Sequence, residues 1–156
     1  AYKEDDFPAY YPVELGNVIL VPEETVHYPV YSNEGAQEWD SIFPPGGGFV
    51  HLGPDNRPFG FSVYHQHHCL MQLREAAVAG RATGHVYHCL NYIRQMILCE
   101  ADTTLEPVVP APRNPWNEFI GVPHVCKDWT EMYRLAAEDN ERMLRSGFPP
   151  NSTIDL

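Results

Sequence analysis

Residues 65–100 read HQHHCLMQLREAAVAGRATGHVYHCLNYIRQMILCE. The stretch holds one five-residue phrase twice. His65-Gln66-His67-His68-Cys69 and His85-Val86-Tyr87-His88-Cys89 are both H-x-x-H-C, twenty residues apart, and each runs on into a leucine. No proline or glycine falls between Val63 and Ala79, and good helix formers dominate there. Gly80 fits a left-handed helix stop, and Thr83 is placed to cap a second helix that runs to about Cys99. On a helix, positions i and i+3 are neighbours. His65 and His68 therefore face one ion, and so do His85 and His88. Imidazole suits zinc, copper, iron and nickel. Each motif cysteine is i+4 from the first histidine of its motif. It is placed either to ligate or to tie down a neighbouring segment through a disulfide.

Working outward, Asn17 to Ser32 is rich in β-formers with a partial period of two, which predicts a hairpin or two short strands. Glu38 to Phe43 reads as one helical turn anchored by Trp39, and Pro44 to Gly48 breaks regular structure. The following stretch continues extended, with turns at Gly53-Pro54 and Pro58. Beyond the motifs, 101–123 is proline-rich and reads as irregular. A third helix is predicted from about Val125 to Arg145, with Gly147 as its stop. The fold class is α+β. It has a mainly helical core of three principal helices, short β-strands, and long Pro/Gly-rich loops in the N-terminal third, in a single domain over 1–156.

With 156 residues, 44% of them hydrophobic, the chain can bury one core. Ten Lys+Arg against 21 Asp+Glu give a formal charge of −11. That charge disfavours nucleic acid, which is held by Lys and Arg, and anionic lipid surfaces. No window approaches the roughly 18 apolar residues of a membrane span, and the first residues carry no signal-peptide core.

The phrases FSVYHQHHCL (Phe61 to Leu70) and HVYHCLNYIRQMILCEADTTLEP (His85 to Pro107) resemble the UstYa-like family of fungal mycotoxin-biosynthesis oxidases. That family's signature is two H-x-x-H-C motifs. Weaker likeness extends from Glu38 to Tyr133. His67 departs from the pattern, since the family commonly has an apolar residue there. The resemblance implies oxidative tailoring of a secondary metabolite, a peptide or a polyketide, with copper as cofactor and O2 as co-substrate. Oxidation of C–H or O–H bonds would lead to cyclisation, desaturation or hydroxylation. It carries over His65, His68, His85 and His88 as copper ligands, and Cys69 and Cys89 as essential motif cysteines. Family members are single-pass membrane proteins with a lumenal catalytic domain. This chain therefore looks like the lumenal part alone, in the secretory pathway, with its membrane anchor absent.

The donor set agrees with that implication. Zinc has no redox role, and neither motif holds the acid that a zinc hydrolase of the H-E-x-x-H type uses as base. Two other readings stay open. One is a halogenase or cyclase using the same motifs. The other is a non-catalytic, zinc-stapled partner subunit of a catalytic relative.

Tyr64 and Tyr87 each precede a motif histidine and are the candidate catalytic residues, as relays for an electron or radical; packing in the core is the plainer role. His67, Arg94, Asp102 and His124 are candidates to support the ligands. His67 is off the ligand face, and Arg94 and Asp102 serve equally as helix-end or loop hydrogen-bonding groups. His124 lies between Pro123 and Cys126, within reach as an extra ligand. His27 and His51 are isolated. Four cysteines allow three disulfide pairings. A Cys99–Cys126 bridge would staple the proline-rich loop, whereas Cys69 and Cys89 pair only if the motifs converge. Asn151-Ser152-Thr153 is a glycosylation sequon.

Spacing raises a geometric difficulty. The first helix is about 22 Å long, and a short connection makes its neighbour antiparallel. The two motifs, each at a helix start, would then lie about 20 Å apart. A two-fold homodimer, or a heterodimer with a relative, would bring the first motif of one chain to the second of the other. The alternatives are one copper per motif, or a connection that returns steeply across the first helix.

Overall fold

The computed structural model describes residues 2–23, 25–106 and 121–148. Asn151 lies outside them, as does most of the proline-rich stretch. The order of elements is β1 (Asn17–Leu20), α1 (Asn33–Asp40), β2 (Phe49–Leu52), β3 (Arg57–Gly60), α2 (Ser62–Ala79), α3 (Gly84–Glu100), β4 (His124–Lys127) and α4 (Thr130–Arg145). The fold is α+β, as its sequence pattern implies.

The core forms where the β2–β3 hairpin, the first turn of α2 and α4 meet. Val50, Phe61, Tyr64 and Ala136 are buried there, with Tyr11, Phe43, Phe59 and Met132 packed around them. Gly48 permits that packing. Its φ is +82°, and a Cβ would sit 2.4 Å from the Tyr64 ring. His51 Nδ1 lies 2.6 Å from Asp139 Oδ2, which also accepts the His51 backbone N–H at 2.9 Å. Arg142 donates to the His51 carbonyl at 2.9 Å. Together these bonds fasten α4 to β2.

Three elements differ from their sequence reading. β1 has no partner in the segment that follows it; it pairs antiparallel with β4, Asn17 opposite Lys127 and Leu20 opposite His124. Residues 125–127, expected to open the third helix, belong instead to that partner strand, His124–Lys127, with alternate side chains covered and exposed. The helix starts later because the Asp128 carboxylate accepts the Thr130 N–H at 3.1 Å, a local turn that initiates α4. The helix around Trp39 is longer and lies upstream, since Ser32 caps it by accepting the Gly35 N–H at 2.9 Å. Trp39 is its anchor, donating to the Tyr28 carbonyl at 2.9 Å and stacking on His67.

The fourth difference governs the site. α2 and α3 run antiparallel, yet their motifs meet in one chain. Gly80 turns the chain at φ +64°, and the Arg81 N–H bonds back to the Ala76 carbonyl at 3.2 Å. Arg81 and Thr83 then line a shallow depression with Gln72 and Ala76 on the flank of α2. An extended residue covers about 3.3 Å and a helical one about 1.5 Å. A few extended residues therefore cancel more than twice as many helical ones. The 20 Å separation expected from helix length alone is removed by that return.

Candidate metal centre

Both motifs lie in the opening turns of their helices. α2 begins without a side-chain cap at Phe61, held instead by the burial of Phe61 and Tyr64. α3 is capped by Thr83, whose Oγ1 accepts the Val86 N–H at 3.3 Å. Antiparallel packing then pairs the imidazoles crosswise. His65 faces His88 with ring centroids 5.9 Å apart, and His68 faces His85 at 5.3 Å. His85 and His88 are 6.2 Å apart on their own helix. The two α3 histidines are exposed and the two α2 histidines half-buried, so the cluster opens on one side.

The opposite side is closed by Cys69 and Cys89, both 0% exposed. Their sulfurs are in hydrogen-bond contact, and all four cysteines are free thiols. Burial, with a smaller contribution from Cys89, pushes the Cys69 thiol up to about 12. Cys99 is exposed and Cys126 half-buried, with no bridge between them.

The residues fit a metal ion. Donor atoms of His65, Cys69 and His88 lie within 4.8 Å of one another. Metal–imidazole bonds of about 2.0 Å set donors roughly 3–4 Å apart, so a small closure suffices. His65 Nε2 is buried with no hydrogen-bond partner among the described residues. Burial, and then the neighbouring His88, His68 and His85, lower the His65 pKa, which favours the neutral form that a ligand needs. No carboxylate belongs to the group, and a nitrogen and sulfur donor set selects copper, zinc or iron over magnesium or calcium.

Tyr64 is 1% exposed, in the core against Phe43. Its hydroxyl has no partner among the described residues, and burial pushes it up to about 12. Tyr87 is 69% exposed. The ring that lies on the imidazoles belongs to Tyr92, at 4.2 Å from His65 and 6.2 Å from His88 and nearly parallel to the latter. Its hydroxyl is 3.1 Å from Ser62 Oγ. The sequence reading did not single out Tyr92, although it stands i+4 from His88 on the motif face.

The supporting candidates lie elsewhere. His67 bonds the Trp39 carbonyl at 2.9 Å and joins α2 to α1. Arg94 donates to Asn91 on its own helix. His124 Nδ1 lies 2.9 Å from Asp102, so these two hold each other and not a motif imidazole.

A family model described as mycotoxin biosynthesis protein UstYa matches residues 13–138. Among curated proteins, the chain is 37% identical over 108 residues to the oxidase ustYa of Aspergillus flavus, covering 65% of this chain and 50% of that protein. It is 31% identical over 123 residues to the UstYa family oxidase phomYb of Diaporthe leptostromiformis, covering 65% and 49%. To the oxidase ustYb of A. flavus it is 26% identical over 155 residues, covering 72% and 59%. The chain thus spans about half the length of the curated relatives it matches. No solved structure matches it.

Proposed function

The chain belongs to the UstYa family of mycotoxin-biosynthesis proteins, and from that premise we propose that it is a copper-dependent oxidase of fungal secondary metabolism. The observation that carries the reading is the convergence of His65, His68, His85 and His88 within one chain, on a face open to solvent. Relatives named oxidases support the oxidative class. Bound copper supplies one-electron redox chemistry with O2 as co-substrate, directed at C–H or O–H bonds and leading to cyclisation, desaturation or hydroxylation.

The chain's own residues do the rest. The four imidazoles would hold the ion, two from each helix, with the Cys69 sulfur within 4.8 Å of the His65 and His88 donors. Tyr92 fixes the plane of His65 by stacking, and Ser62 holds the Tyr92 hydroxyl in place. The buried thiol pair keeps water from the closed side. The open side, towards His85 and His88, admits O2 and substrate. The same reading places the domain in the lumen of the secretory pathway, which the Asn151 sequon supports. No described helix is long and apolar enough to cross a membrane.

A second reading, a zinc-stapled partner subunit, draws on Cys69 standing among the donors, a set that structural zinc also uses. Metal competition with EPR, together with ascorbate-driven O2 uptake, separates the two. The copper reading expects tight Cu(II) binding with a nitrogen-rich EPR signal, and O2 uptake that His65→Ala and His88→Ala abolish. Both variants should lose more affinity than the 10–100-fold typical of removing a supporting residue. Preferential zinc binding without O2 uptake would overturn it.

A further inference from the structure

Beside the first residue of α2 the fold leaves a cavity of about 590 Å³, within the range of pockets that take one drug-sized ligand. Its floor is core: Val50 and Phe61, 3% and 7% exposed. One wall is the segment 11–15, where Tyr11, Val13 and Leu15 turn inward and Pro12 and Glu14 face solvent, the alternation of an extended chain. The facing wall is Phe59. Among the described residues no Asp, Glu, Lys, Arg or His lines the cavity, although the chain carries a net charge of −11. Its rim on the α2 side is Ser62.

Ser62 connects this cavity to the candidate centre. It lies one helical turn before His65, on the same face. Its hydroxyl meets the Tyr92 hydroxyl at 3.1 Å, and the Tyr92 ring lies on His65 at 4.2 Å. Gln66 Nε2 donates to Ser62 Oγ at 3.2 Å, which fixes the rotamer of the rim residue.

We propose that this cavity is the substrate pocket of the centre, that it takes an uncharged aromatic or aliphatic moiety, and that the Ser62–Tyr92 hydroxyl pair is its polar edge. The proposal rests on the oxidase reading and supplies its substrate class. A charged group finds no free counter-ion among the described lining residues: the nearby Arg57 guanidinium is engaged over the Phe7 and Phe59 rings at 4.9 and 5.0 Å and by the Glu4 carbonyl, so the desolvation of a buried charge would go uncompensated. An apolar group is favoured there in proportion to the surface it removes from water. Aromatic rings pack well against these walls: Tyr11 already meets Phe61 edge-to-face at 5.3 Å, and Phe7 lies tilted on Phe59 at 5.0 Å. A moiety seated there presents its near end to Ser62, one helical turn from the first imidazole.

The test uses the neutral fluorophore N-phenyl-1-naphthylamine with the metal-free chain. Saturable one-to-one binding with blue-shifted emission is expected. Val13→Trp, which fills the cavity, and Leu15→Arg, which charges its wall, should each weaken binding at least tenfold, with unchanged far-UV circular dichroism in at least one of them. Indole should displace the fluorophore at least tenfold better than tryptamine, its cationic counterpart. Cu(II), with occupancy verified by EPR, should quench the bound fluorophore, and should fail to do so in the His65→Ala/His88→Ala double variant. Absence of saturable binding, indifference to a folded wall variant, equal displacement by tryptamine, or no quenching by bound Cu(II) would each overturn the proposal. Fluorophore binding in a chain that takes up no copper would overturn the copper reading, and would support the ligand class assigned to the cavity.

Discussion

Tyr64 and Tyr92 both stand close to motif histidines in the chain, and they end in different surroundings. Tyr64 goes into the core because its side chain points at the hairpin, whereas Tyr92 lies on His65 and His88. If Tyr92 holds His65 by its ring, Tyr92→Phe should keep copper affinity within about threefold of the parent, and Tyr92→Leu should lose about tenfold; competition against a calibrated chelator measures both. The histidines were legible because a repeated pentad names itself. Tyr92 was less so: its i+4 spacing from His88 sets it on the motif face, but its closest ring contact is with His65 on the other helix, which spacing within α3 does not reveal. Gly48 belongs to this scale too. Gly48→Ala adds a strained φ and a Cβ pressed into Tyr64, and should cost about 2–4 kcal/mol in urea unfolding. Asp102 is held down to about 2 by the Thr104 N–H, then the Thr104 hydroxyl, then His124, against an ordinary aspartate value of about 3.9. The folded form is therefore favoured at pH values above about 4, and that preference fades as pH falls towards 2. A carboxyl-carbon NMR titration should show the low midpoint, and Thr104→Ala should raise it.

Element by element, the helices were legible from composition, stops and caps, whereas the pairing of strands was not. β1 and β4 join across more than a hundred residues, and nothing local in Asn17–Leu20 names that partner. The connector between α2 and α3 was misjudged for a related reason: residue count does not distinguish an extended return from a loose loop. It depends on the left-handed turn at Gly80. A Cβ there meets no atom within 4 Å, so Gly80→Ala should cost only the backbone strain of about 1–2 kcal/mol. A cost well above that in chemical unfolding would mean that the turn is packed more tightly than described. Asp139→Ala removes the acceptor shared by the His51 ring and backbone and by Arg142. It should cost about 2–3 kcal/mol and loosen α4 from the hairpin, which hydrogen exchange along β2 would register.

For the molecule as a whole, four imidazoles meeting within one chain remove the spacing argument for a shared site. Copper bound per chain should stay constant as protein is diluted through its association range, with sedimentation and metal analysis run together; stoichiometry that falls with dilution would return the site to an interface. The crosswise pairing carries one more consequence. Exchanging the two motifs, twenty residues forward for the first and twenty back for the second, maps each clamp onto the other: His65 with His88 becomes His85 with His68, while Cys69 and Cys89 exchange places. The centre therefore has an approximate local dyad, with the two sulfurs astride its axis. The symmetry fails at the periphery, where Ser62 and Tyr92 at one end correspond to Ala82 and Gln72 at the other. The pseudo-symmetric centre is thus one-sided, and the end that carries a hydroxyl and a phenol is the end beside the apolar hollow.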